Sequence, residues 1–195
     1  MRKLIATLIS LAFAPVLFGQ AVVVKHKAAA TCSTVRDNTF TTAPSGADQT
    51  LGRSADIMAL ATVFTAGSSY TMCSVTAALK ATGSPTFNIA AAIFTNSGSG
   101  PGSLVGIASS PKSVSGMSSS YASFNFTGMS APLVSGNSYF LVIYYTSGTT
   151  NYYVDYISQD VAAGVSANHR YYSPALTPWT DDGGYILADF TGYSN

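Results

Sequence analysis

From Tyr70 to Lys80 the chain alternates, with Val75, Ala77 and Leu79 on one side and Ser74, Thr76 and Ala78 on the other. A period of two marks an extended segment with one buried face. The same pattern recurs along the chain. Asp56–Thr65 precedes it, and Phe87, Ile89, Ala91 and Ile93 alternate after Gly83-Ser84-Pro85. A shorter apolar run, Leu104–Ala108, leaves an Asn, Ser, Gly and Pro loop. Tyr121–Thr127 sets Tyr121, Ser123 and Asn125 against Ala122, Phe124 and Phe126, the clearest half-buried strand in the chain. Tyr139–Thr146 is apolar on both faces and predicts a central strand covered on both sides. Tyr152–Ile157, His169–Tyr172 and Tyr185–Phe190 read as the last strands.

Turn signals separate these runs. Pro44-Ser45-Gly46, Ser135-Gly136-Asn137 and Gly148-Thr149-Thr150 break the alternation. Pro101-Gly102 fits the central positions of a type II turn, because proline presets φ and glycine accepts a positive one. No segment keeps a 3.6-residue period, and Ser158–Asn168 has room for one short helix or turn. About nine or ten short strands predict an all-β fold, an antiparallel β-sandwich or a barrel.

Composition moves this picture toward an exported protein. Hydrophobic residues make up 47% of the 195 positions, enough for a sizeable core. Charged residues are 9%, against roughly 25% in ordinary domains. Every acid is an aspartate (Asp37, Asp48, Asp56, Asp155, Asp160, Asp181, Asp182, Asp189), and none lies between 57 and 154. Arg2-Lys3, the apolar run Leu4–Phe18 and Gly19-Gln20-Ala21 have the three parts of a secretory signal, expected over 1–21. The run holds Pro15 and is shorter than the roughly 20 residues that span a bilayer, so no stable membrane span is expected. Losing Arg2 and Lys3 takes the nine basic residues to seven, against eight acids. Seven scattered cations do not make the basic face that nucleic acid requires. Residues 22–37 read as a leader, a linker or a first strand, ahead of one domain over 38–195.

Cys32 and Cys73 are even in number and lie in an exported chain, which suits a disulfide. Two buried thiols are the alternative. Two cysteines without neighbouring histidine do not complete a metal site.

Three stretches carry a resemblance. They are LKATGSPTFNIAAAIFTNSGSGPGSLV, SSSYASFNFTGMSAPLVSGNSYFLVI and YYSPALTPWTDDGGYILADFTGY. Together they resemble the bacterial surface domains called choice-of-anchor R domains, from about Asn38 to Tyr193. The resemblance implies a jelly-roll-like sandwich displayed outside the cell envelope, without an established activity or catalytic residues. Such domains carry varied C-terminal sorting signals. The ending Phe190-Thr-Gly-Tyr-Ser-Asn195 has none, which suggests free secretion or retention by other subunits.

Catalytic patterns are poorly represented, and no enzyme is expected. Glycoside hydrolysis usually needs two carboxylates of distinct acidity, and no aspartate pair is marked out. No Gly-x-Ser-x-Gly elbow nominates a nucleophile, and a triad on His26 or His169 would be arbitrary. The binding candidates are the aromatics of the C-terminal third: Tyr144, Tyr145, Tyr152, Tyr153, Tyr156, Tyr171, Tyr172 and Trp179. Flat rings stack on sugars, and Asp155, Asn168, His169 and Arg170 would bond the hydroxyls. The competing reading is that these tyrosines pack the sandwich with their hydroxyls at its edge. Asp181-Asp182-Gly183-Gly184 offers oxygens to a structural calcium ion but equally reads as a hairpin turn. No other cofactor is expected. The loop Ser97–Ser103 reads as scaffold, which leaves the tyrosine-rich third as the place to seek function.

The expectation is a secreted, non-catalytic β-sandwich with a surface, adhesive or glycan-binding role and an extracellular glycan or surface component as partner. The alternative is a self-assembling subunit of an extracellular filament, matrix or virion-like structure, with Ala21–Ala30 donated to a neighbour's sheet edge.

Overall fold

The computed structural model describes residues 31–38, 49–51, 59–148, 153–156, 158–160, 168–171, 179–181, 185–187 and 190–195. All regular structure among them is β. The strands are β1 (Thr34–Asn38), β2 (Gln49–Leu51), β3 (Ala59–Thr65), β4 (Tyr70–Thr82) and β5 (Asn88–Asn96). Next come β6 (Pro101–Leu104), β7 (Lys112–Ser113), β8 (Ala122–Leu133), β9 (Ser138–Ser147) and β10 (Tyr153–Tyr156). The last are β11 (Ser158–Asp160), β12 (Asn168–Tyr171), β13 (Thr180–Asp181), β14 (Tyr185–Leu187) and β15 (Phe190–Ser194). No helix among the described residues is long and apolar enough to cross a membrane. The predicted signal sequence and the residues 22–30 lie outside the described residues.

Two antiparallel sheets face each other across one core. The first is built on β4, whose 13 residues exceed the reach of any neighbour. β8 pairs along one edge of β4, and β15 followed by β10 share the other. β1 flanks β15 and β2 flanks β10, so the sheet is four strands wide. The second sheet runs β13-β12-β3-β9-β5, with β6 and β7 dividing the outer edge of β5. β11 and β14 form a separate ribbon.

The alternation seen in sequence explains which face is buried. Met72, Val75 and Leu79 of β4, Phe126 and Leu133 of β8, and Phe190 of β15 point inward from the first sheet. Leu60 and Phe64 of β3, Ile89 and Ile93 of β5, and Leu141 and Ile143 of β9 meet them from the second. The Phe64 and Phe190 rings touch edge to face across the sheets, centroids 5.4 Å apart. Burying each such side chain contributes about 1.5–3 kcal/mol. This is a β-sandwich core.

One side of the sandwich is closed by the chain itself. Between β6 and β7 the backbone bonds alternately to both sheets. The N–H groups of Val105 and Ser109 donate to Ile93 and Ala91 carbonyls of β5, both at 2.8 Å. Those of Ile107 and Ser110 donate to Ser130 and Thr127 of β8, at 2.9 and 3.0 Å. The backbone is irregular here, with Gly106 in the left-handed region between Val105 and Ile107, so one segment can satisfy two sheet edges. Close approach demands glycine at Gly106, where φ is 70° and a Cβ would stand 1.9 Å from the Ser130 carbonyl oxygen.

Three sequence expectations are corrected. Pro101-Gly102 does not form the centre of a turn; both residues begin β6. The turn lies earlier in the loop, centred on Gly98-Ser99, where Ser97 N–H bonds the Gly100 carbonyl at 3.0 Å. Proline is tolerated as the first residue of an edge strand, and Gly102 is required because a Cβ would lie 2.6 Å from Thr95 Oγ1. The stretch Ser158–Asn168, given to one short helix or turn, begins and ends in strand, as β11 and the first residue of β12, and 161–167 lie outside the described residues. Tyr185–Phe190 is two strands in different sheets, because β14 pairs β11 while β15 pairs β4 and β1.

Candidate functional site

The aromatic residues singled out in the sequence divide between the sheets. Register places Tyr171 opposite Ala59, and Ala59 opposite Tyr144. Two residues along, on the same face, Asp181, His169, Ala61 and Val142 form the next row. Tyr144, His169, Tyr171 and Asp181 therefore occupy adjoining rows of the second sheet, and Trp179 immediately precedes its edge strand β13. Asp155 and Tyr156 belong to β10, in the opposite sheet. Tyr152 and Asp182 lie outside the described residues.

The outward face of the second sheet is itself packed. Ala59, Ala61, Phe140 and Val142 form a second apolar cluster at 0–2% exposure, with Trp179, Tyr144, Val63 and Phe94 against it. Burial pushes the Tyr144 hydroxyl above the ordinary tyrosine range. Trp179 and Tyr144 contribute to that packing. Among the described residues, no three His, Cys, Asp or Glu side chains gather where they could hold a metal ion.

A polar clamp anchors the N-terminal strand. Cys32 and Cys73 form a disulfide, Cα atoms 5.9 Å apart, which ties the residues just before β1 to the first third of β4. A bonded sulfur has no proton to give, so the Ser74 hydroxyl, 3.0 Å from Cys32 Sγ, is the donor of that contact. Asp37 is almost buried, yet its carboxylate is satisfied. Oδ1 accepts the Gly67 N–H at 3.0 Å and Oδ2 accepts the Tyr70 hydroxyl. Burial, then the bond and charge of Asp37, push the Tyr70 hydroxyl far above its usual range. Arg36 donates from Nε to Ser194 Oγ at 2.8 Å and lies 5.8 Å from the Tyr70 ring centroid. Each of these polar groups has a partner nearby, so the cluster reads as structural.

The open recess is elsewhere. Thr95 and Asn96 at the end of β5, Gly98 of the β5–β6 loop, and Gly136–Tyr139 of the β8–β9 turn line a groove of about 560 Å³. Pairing of Thr95 with Tyr139 across β5 and β9 brings the two turns side by side. Each turn is held from within. Gly98 N–H bonds Asn96 Oδ1 at 2.8 Å, and the Ser97 hydroxyl donates to the Gly100 carbonyl at 2.7 Å. Gly136 N–H bonds the Ala66 carbonyl at 2.8 Å, while Ala66 N–H returns a bond to Asn137 at 3.0 Å. Gly98 and Gly136 have φ of 86° and 79°, with nothing within 4 Å of a Cβ position. Tyr139 is buried, its hydroxyl accepting the Val134 N–H at 3.0 Å, so its ring is not displayed.

None of these residues was singled out for binding in the sequence. Both turns were visible as Gly, Ser and Asn clusters, but their meeting depends on long-range pairing of β5 with β9. No protein-family model, curated protein or solved structure matches the chain.

Proposed function

We propose that the protein is a secreted, non-catalytic β-sandwich that binds an extracellular glycan or surface component. The groove between the two pinned turns carries this reading, because rigid strands hold an exposed, polar recess at one end of the sandwich. Loops fixed by a scaffold are the usual place for recognition. The Cys32–Cys73 disulfide fits an oxidising compartment. A signal peptide over 1–21 would supply the route. The resemblance to choice-of-anchor R domains points the same way. The sandwich reads as jelly-roll-like, since β3, β4, β5, β8, β9, β10, β12 and β15 alternate between the two sheets.

A catalytic role finds little support. The Asp37 carboxylate is committed to Gly67 and Tyr70, and the described groove lining holds no acid, base or nucleophilic pair. The test is a glycan array and polysaccharide pull-down with the full mature chain. Retention on at least one glycan class is expected, without change to the polymer. Absence of retention on every class, or release of reducing ends, overturns the proposal.

A further inference from the structure

We propose that the groove takes an uncharged, hydroxyl-rich ligand, the chemistry of a neutral glycan, and holds it by hydrogen bonds rather than by stacking. The inference rests on reading the domain as a binding module and names the ligand class of that site.

Among the described residues the lining contains no charged side chain. An anionic or cationic ligand would lose hydration there without gaining a partner, which is costly. A neutral hydroxyl loses less and recovers it through one good bond. The available groups suit hydroxyls. Asn137 is exposed, and its side-chain amide makes no hydrogen bond among the described residues. Asn96, exposed, uses Oδ1 on Gly98 N–H, and its NH₂ makes no hydrogen bond among the described residues. Thr95 Oγ1 accepts the Ser103 N–H at 2.9 Å and keeps its proton to donate. An amide oxygen with an NH₂ beside it can bond two neighbouring hydroxyls, one as acceptor and one as donor.

Stacking has no surface in this groove. The one aromatic residue among the described lining, Tyr139, is 6% exposed with its hydroxyl already bonded. The open sides of Gly98 and Gly136 instead let a ligand approach the backbone. Because both turns are pinned before binding, little ordering cost remains.

The test measures retention of the full mature chain in gels containing a neutral β-glucan, a neutral galactomannan or anionic polygalacturonate. Runs are made at on the order of 0.05 M and 0.5 M NaCl, which separates screened from unscreened attraction. Retention by a neutral polymer is expected, changing less than about twofold with salt. Asn137→Ala is expected to weaken it by about tenfold, as loss of bonds to a ligand should. Ser123→Ala, on the exposed outer side of β8, is the control and should not change it. Matching thermal unfolding of the variants checks that both fold. Retention by polygalacturonate alone, collapsing at high salt, overturns this inference and leaves the binding module standing. So does neutral retention that Asn137→Ala leaves intact. Failure of all three polymers overturns the inference here, and failure across the whole array removes the binding reading as well.

Discussion

At the scale of single residues, glycine positions separate strain from clash. Gly106 combines a φ of 70° with a carbonyl oxygen where Cβ would sit, whereas Gly136 has a similar φ and open space. Gly136→Ala should cost about 1 kcal/mol for the left-handed backbone alone. Gly106→Ala should cost about 3 kcal/mol or more, because the seam must move as well. Urea midpoints of the two variants check the difference. Tyr70 gives a pH prediction. Its hydroxyl is held above the ordinary value near 10, so the folded state prefers the neutral phenol. The stability this contributes is complete below pH 10 and is lost as pH rises from there toward the folded value. Tyr70→Phe should therefore flatten the alkaline fall in stability while lowering stability at neutral pH, read by denaturant unfolding at pH 7 and pH 11.

At the scale of elements, β1 shows what one cross-link does. The disulfide closes a loop of 41 residues of separation. Reduction should lower stability by up to about 4 kcal/mol, seen as a drop in thermal midpoint on adding reductant. Elements with a clean period of two were legible in sequence: β4, β5 and β8 fall where alternation placed them, and β9 where the continuous apolar run did. Their ends were not. β8 continues past Thr127 to Leu133 through Gly128, whose φ of 80° marks an irregularity in the pairing with β4. Local pattern cannot register such a break, because the partner strand sets it. Pro101-Gly102 misled for the same reason. Its turn chemistry is genuine, yet Gly102 serves the tight contact with Thr95 across the hairpin. The groove was legible only as two unconnected turns, because the β5–β9 pairing joins positions more than forty residues apart.

At the scale of the whole molecule, the sandwich limits its own edges. The seam between β6 and β7 occupies the facing edges of β5 and β8. At the far side β1 carries a bulge at Arg36, between the paired positions Val35 and Asp37. Charge and irregularity on an edge discourage strand addition. The mature protein is therefore expected to elute as a monomer over a wide concentration range in size-exclusion chromatography. Concentration-dependent growth or filaments would favour an assembly subunit instead.

The central claim is that recognition occurs at the groove rather than at the packed aromatic face of the second sheet. Amide chemical-shift mapping, with a neutral oligosaccharide from the polymer that retains the protein, tests it directly. The account predicts shifts centred on Thr95–Gly98 and Gly136–Tyr139, with Trp179 unmoved. Shifts centred on Trp179 and Tyr144, with the two turns silent, would contradict it.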